Sequence, residues 1–321
     1  MPASAVLLSA LLVAVSVPSA AALVVLHWQL RKTTPILSYE PRRPVPWSGI
    51  DVLMFIGILF LAEIVCLKIG MLMTGIQLPT NDTQLDSQQQ SLKLAAQFVS
   101  SLVTFVIGAV AISSRVGASP TDLGWNLRRV PYDLKCGTIA FVMTVPIVFL
   151  VQLCLTKVVP YEHPVIELID KRPGGAMLVV LTVSTVVIAP LFEEFLFRVL
   201  LQGWLEKLEE SLLTKLRKEP IVNELSTRSE NDSLPPAETE QSQANLFGLT
   251  PGFLPIAVSS LVFSLMHIGQ GPAIVPLFIF AVVLGFLYRQ THRLLPSFTV
   301  HFLLNAVSMA MLLAQPAAPG G

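Results

Sequence analysis

Apolar runs of about twenty residues recur along the whole chain, and an α-helix needs a run of that length to cross the ~30 Å hydrocarbon layer of a bilayer. They fall at about 4–27, 49–74, 93–113, 136–156, 176–201, 254–270, 272–289 and 294–314. The runs are continuous, not alternating ten-residue segments, which excludes a transmembrane β-barrel. The prediction is an all-α fold: a polytopic transmembrane helical bundle of about eight spans. Composition agrees, since 53% of the 321 residues are hydrophobic and only 13% are charged, against about 25% charged in soluble domains. The first run also has the small-residue ending of a signal peptide at Pro18-Ser19-Ala20-Ala21, although no basic residue precedes it.

Basic residues set the expected orientation. With the N-terminus outside, the inner connections hold fifteen Lys and Arg. These are Arg31, Lys32, Arg42 and Arg43; Arg115, Arg128, Arg129 and Lys135; Lys207, Lys215, Arg217, Lys218 and Arg228; and Arg289 and Arg293. The outer segments hold three: Lys157, Lys171 and Arg172. The expected location is a cell inner or plasma membrane, with both termini outward and the large 203–252 connection on the cytoplasmic side. Within that connection, 203–218 reads as an amphipathic helix with Trp204, Leu205, Leu208, Leu212 and Leu216 on one face. It reads equally as a plain extension of the fifth span. Residues 219–250 read as a flexible linker. Net charge is zero, so nothing attracts nucleic acid; the lipid bilayer is the expected partner. Cys66, Cys136 and Cys154 have neither disulfide nor zinc-knuckle spacing.

Charges inside a span cost on the order of 2.5–3.5 kcal/mol each on insertion scales and require a reason. The fifth run carries Glu193, Glu194 and Arg198. The i,i+4 spacing lets Glu194 and Arg198 pair on one face, which leaves Glu193 about 100° away without a partner on its own helix. If that helix ends near Gln202, Glu193 lies ~14 Å in. The sixth run ends on Phe263-Ser264-Leu265-Met266-His267, and the eighth carries His301 and Asn305 one turn apart. Polar groups in lipid must find one another or water, so the three helices are expected to converge on one hydrated cavity. Two chemistries fit this set. Glu193 can abstract a proton from water with His267, while His301 and Asn305 donate to an oxyanion. Alternatively Glu193, His267 and His301 can hold Zn²⁺. One tension remains: His267, fourteen residues into a run starting at Phe253, would lie ~21 Å deep, below Glu193.

The residues EEFLFR (193–198), FSLMH (263–267) and HFLLN (301–305) match the patterns EExxxR, FxxxH and HxxxN in order. In this the chain resembles the CPBP family of integral-membrane proteases, which includes type II CAAX prenyl endopeptidases and bacterial abortive-infection-type proteins. The stretch 284–306 is similar to the last two core helices of that family. The resemblance divides the chain into four N-terminal spans (1–175) and a catalytic core (176–314) with a cytoplasmic insertion at 203–252. It implies an endopeptidase acting on a membrane-associated or lipidated peptide or protein substrate, with its site open to the cytoplasmic side. Glu193 and His267 would activate water, and His301 and Asn305 would stabilise the oxyanion. Glu194, Arg198 and Phe263 would support them, with Zn²⁺ an option for the family. Val199 stands where the family often has Gly, and the Arg198–Phe263 connection is longer than usual. The competing readings are a non-catalytic scaffold or immunity protein that keeps the fold and, last, a proton-coupled transporter.

Overall fold

The structure, a computed structural model, describes residues 37–79, 85–158, 169, 174–227 and 252–314, with side chains only to residue 215 in the 174–227 segment. The expected first span (4–27) lies outside the described residues, as does most of the expected linker. All regular structure among the described residues is helical. It comprises α1 (Gly49–Thr74), α2 (Ser87–Val116), α3 (Val130–Thr156), a long run from Gly175 to Thr227, α7 (Phe253–Leu265), α8 (Ile274–Thr291) and α9 (Leu294–Leu313). The long run alternates between two helical registers: α4 (Gly175–Val183), π turns (Ser184–Ile188), α5 (Ala189–Glu194), π turns (Phe195–Gln202) and α6 (Gly203–Thr227). Among the described residues, six helices are long and apolar enough to cross a membrane.

Helix ends differ from the hydropathy reading where polar residues continue a helix past its apolar stretch. The second described helix starts at Ser87, ahead of the expected 93, because Asp86 caps it: its carboxylate accepts the Gln89 N–H at 2.8 Å, and the Gln89 side chain accepts the Asp86 N–H in return. The third starts at Val130, ahead of the expected 136, with Pro131 in its first turn. Its charged first turn is tolerated because Asp133 is buried against Arg293 at 2.7 Å. The largest correction concerns the expected sixth span. α7 has 13 residues, about 20 Å at 1.5 Å per residue, too short to cross. The chain breaks at Met266 and His267, makes a 3₁₀ turn (Ile268–Ala273) and returns as α8.

α6 continues the fifth span without interruption through Thr227, so residues 219–227 are helical where linker was expected. The expected polar face is partly buried. Leu208 and Leu212 are exposed, whereas Glu206 and Glu209 are buried against the bundle. Glu209 accepts the Gly252 N–H at 2.6 Å, which sets the start of α7 level with α6. Gly252 sits at φ 92°, and a Cβ there would lie 2.3 Å from Arg289 Nε, so only glycine fits.

Aromatic side chains form the centre of the bundle. Phe55 of α1 packs on Phe192 and Phe195, each at 5.6 Å between ring centroids, and Phe105 of α2 meets Phe195 at 5.0 Å. A second cluster joins Val145 and Val148 of α3 to Phe280 and Leu284 of α8 and Val300 and Leu304 of α9. The outer faces of α1 and α2 expose Phe60, Leu61, Ile64, Val106 and Val110. Contiguous exposure of that kind belongs against acyl chains, not water.

The basic connections meet at one end of the bundle. Residues 37–48 lie across it. Arg42 donates to the Tyr288 hydroxyl at 2.7 Å, Arg293 pairs with Glu40, and the Trp47 indole N–H donates to the Leu200 carbonyl at 3.0 Å. Arg43 clamps Asp122 with two hydrogen bonds, at 3.1 and 2.6 Å, while Ser119 donates both N–H and O–H to the same carboxylate. The Arg43 contact, with help from Ser119, holds the Asp122 carboxyl down to about 2, from 3.8. The folded state therefore favours the charged form. Its stabilising contribution is complete above pH 3.8 and lost as pH falls through about 2. Asp122→Asn is expected to lower the unfolding temperature of the detergent-solubilised protein at pH 6, with the gap to wild type closing between pH 4 and pH 2 in a thermal-denaturation series.

Candidate active site

The tension between the depths of Glu193 and His267 disappears once α6 is seen to continue past Gln202. Because Gly252 is bonded to Glu209, depth on both helices can be counted from that common level. Glu193 lies sixteen residues back along one and His267 fourteen residues beyond Phe253 along the other. At helical rise these are about 24 and 21 Å, so the two groups reach similar depth.

His267 owes its orientation to the way α7 ends. In a continuing α-helix the Phe263 carbonyl would accept the His267 N–H. Here that N–H turns to Ser264 O at 3.1 Å, freeing the Phe263 carbonyl. The His267 Nδ1–H donates to it at 2.9 Å. A carbonyl can only accept, so Nδ1 carries the proton and Nε2 keeps its lone pair. The ring is half-buried and its basic nitrogen is free.

His301, on α9, is held from the other side. Its Nδ1–H donates to Glu194 Oε1 at 2.9 Å, and its Nε2 faces Glu193 Oε2 at 3.7 Å. Glu193 thus gains from a different helix the neighbour it lacks on its own. Glu194 also accepts from Arg198 Nε at 3.2 Å, and both residues are fully buried. Arg198 Nη1 donates to Ser259 at 3.4 Å, and its Nη2 has no partner. Phe263, also fully buried, joins the parts. Its ring lies 5.0 Å from that of His267, 5.9 Å from that of His301 and 5.4 Å from the Arg198 guanidinium. Val199, where glycine is common in the resembling family, is fully buried in the aromatic core.

Asn305 sits one turn beyond His301, and its Nδ2 donates to the Thr185 carbonyl at 2.9 Å. Thr185 lies in the first π segment, where carbonyls bond to the N–H five residues on, as Ser184 does to Ala189. The residue five beyond Thr185 is Pro190, which has no N–H. Asn305 fills the vacancy that proline creates, and its second Nδ2 hydrogen remains available. Glu193, His267 and Asn305 are half-buried, whereas Glu194, Arg198, Phe263 and His301 are buried. Of the residues expected to react, Glu193, His267 and Asn305 are thus partly exposed, while His301 is buried with those expected to support them.

The arrangement does not supply a metal site as it stands. Among the described residues no three His, Cys, Asp or Glu side chains gather closely enough to hold an ion. Glu193 and His301 are neighbours, while His267 makes no direct polar contact with either and commits Nδ1 to backbone. Two residues that sequence reading passed over belong to this region. Gln202 and Glu206, both buried, continue the line of Glu194 and Arg198 at four-residue steps; that spacing was the available signal.

Residues 175–307 match the family described as Type II CAAX prenyl endopeptidase Rce1-like. No curated protein and no solved structure matches the chain.

Removing one member of a buried ion pair leaves an uncompensated charge, at a cost of about 3–5 kcal/mol. Arg198→Met is expected to show that loss in unfolding of the purified protein, whereas Arg115→Met, whose partner Asp51 pairs with a half-exposed guanidinium, is expected to lose far less.

Proposed function

We propose that this chain, whose 175–307 segment belongs to the Rce1-like type II CAAX prenyl endopeptidases, hydrolyses a peptide bond near the end of a lipidated or membrane-associated substrate by water activated between Glu193 and His267. The apolar helices and the match over residues 175–307 support a membrane-embedded endopeptidase. The observation that carries this reading is His301 clamped through Nδ1 by the buried Glu194 while its Nε2 faces the half-exposed Glu193.

Glu193 takes a proton from water as the oxygen bonds to the scissile carbonyl carbon, and His267 Nε2 orients that water by accepting its other hydrogen. The carbonyl π pair moves onto oxygen. That oxyanion accepts from the free Nδ2 hydrogen of Asn305 and from His301 Nε2–H, present when the ring is imidazolium. The intermediate collapses, the C–N bond breaks, and the leaving amine takes the proton back from Glu193. Glu194 fixes the His301 ring, and Arg198 supplies the positive charge that lets Glu194 stay buried as an anion. The Lys and Arg distribution supports a site reached from the cytoplasmic side. No step here uses Zn²⁺.

Cleavage of a peptide ending in prenylated Cys-aliphatic-aliphatic-X by purified protein tests this reading. Glu193→Ala and His267→Ala are each expected to lower kcat about 10²–10⁴-fold, and Asn305→Ala about 10²–10³-fold, with expression unchanged. A wild-type phenotype in a Glu193→Gln strain would favour the scaffold alternative. Activity is expected to survive a chelator; loss restored by added zinc would overturn the metal-free scheme.

A further inference from the structure

The side chains of Glu194, Arg198, Gln202 and Glu206 form a buried row along one helical run. In an α-helix, residues four apart drift by about 40° around the axis. The wider π turns of Phe195–Gln202 turn less per residue and take that drift back, so the row stays on one face over three steps. Hydrogen bonds run outward from Arg198, to Glu194 on one side and toward Glu206 on the other. Arg198 Nη1 donates to Ser259 Oγ at 3.4 Å, and the one Ser259 hydroxyl hydrogen is shared between Gln202 Oε1 at 3.3 Å and the Ile256 carbonyl at 3.2 Å. Gln202 Nε2 donates to Glu206 Oε1 at 3.0 Å and to the Gly285 carbonyl at 2.9 Å. Bonds that point the same way, from guanidinium to carboxylate, strengthen one another in a low-dielectric interior. Glu206 is held in turn by Arg42 at 3.2 Å and Arg289 at 3.8 Å.

We propose that Gln202 is a positioning residue for hydrolysis: through Ser259 it holds Arg198, and through Arg198 and Glu194 it fixes the ring of His301. This rests on the hydrolase reading above. Arg198 has two polar partners, Glu194 and Ser259, and its Nη2 has none. Losing the Ser259 contact leaves the guanidinium held by Glu194 alone, and Glu194 is what holds His301. Gln202 is shaped for the task. Every hydrogen-bonding group of its amide is used, and those bonds reach three other elements at once: α6 through Glu206, α7 through Ser259 and α8 through the Gly285 carbonyl. The opposing helix makes room for it, since a Cβ on Gly285 would lie 2.9 Å from Gln202 Oε1.

The test uses the full chain in nanodiscs and two readouts: peptide hydrolysis, and the ¹⁵N spectrum of the His301 imidazole. Gln202→Met keeps length and volume but no hydrogen bonds, and Ser259→Ala breaks the same link at its neighbour. Each is expected to lower kcat roughly 10- to 100-fold, the scale of a small misplacement transmitted from outside the reacting groups, with KM within about twofold. The double variant is expected to match the singles, because both remove one connection. In the spectrum, the one environment of the His301 Nδ1–H donated to Glu194 in wild type gives way to a mixture in both variants. Folded variants with wild-type kcat and an unchanged spectrum would overturn the proposal, as would additive losses in the double variant. If Gln202→Met does not fold, Ser259→Ala and Gly285→Ala decide by the same criteria. If wild type cleaves no peptide, the hydrolase reading fails, and the imidazole spectrum alone still upholds or overturns the link from Gln202 to His301.

Discussion

An arginine and a glutamate without solvent exposure, inside a helix that otherwise reads as membrane-spanning, set the terms for everything around them. Neither charge is tolerable alone at that depth. Their pairing at 3.2 Å leaves the second Glu194 oxygen for His301 and an Arg198 nitrogen for Ser259, so α9 and α7 are drawn in by the same requirement. Lipid supplies little net drive for helices to associate, which makes such polar contacts, together with close aromatic packing, the specific part of the assembly. The half-exposed Glu193 stands beside this cluster without belonging to it, so two adjacent glutamates have different surroundings, one buried in an ion pair and one open to the cavity side.

The spans were largely legible because apolar length is a direct consequence of bilayer thickness. The run at 49–74 coincides with α1, and 294–314 differs from α9 by one residue. The ionisable residues were legible for the same reason, since Glu and His within apolar runs stand out. What hydropathy could not resolve was where an apolar run stops being helical. Residues 254–270 are apolar enough to read as one run, yet the helix ends at Leu265 because the backbone turns at His267 and Gly271 takes φ 61°. The nearby Gly269, Gly271 and Pro272 signalled the reversal but not its depth.

The π turns were invisible for a different reason. Their register depends on contacts from other helices, such as Asn305 reaching the carbonyl that Pro190 leaves free, and no local propensity encodes it. The same holds for Glu206 and Glu209. On sequence they belong to the polar side of an amphipathic helix, but Arg42, His292 and the Gly252 N–H lie where solvent was expected. Burial of a carboxylate is decided by what is brought to it, and those partners come from segments far away in the chain.

Asn305 and His301, four residues apart on α9, are tied to Thr185 and Glu194, nine residues apart on the neighbouring run. Two rivets between the same two rods stop them from sliding or swivelling independently. Helices in bilayers of different thickness adjust by tilting, and here the donors and Glu193 would tilt as one plate. A thinner or thicker membrane would then change how a substrate enters, while the spacing among the groups that meet it stays constant.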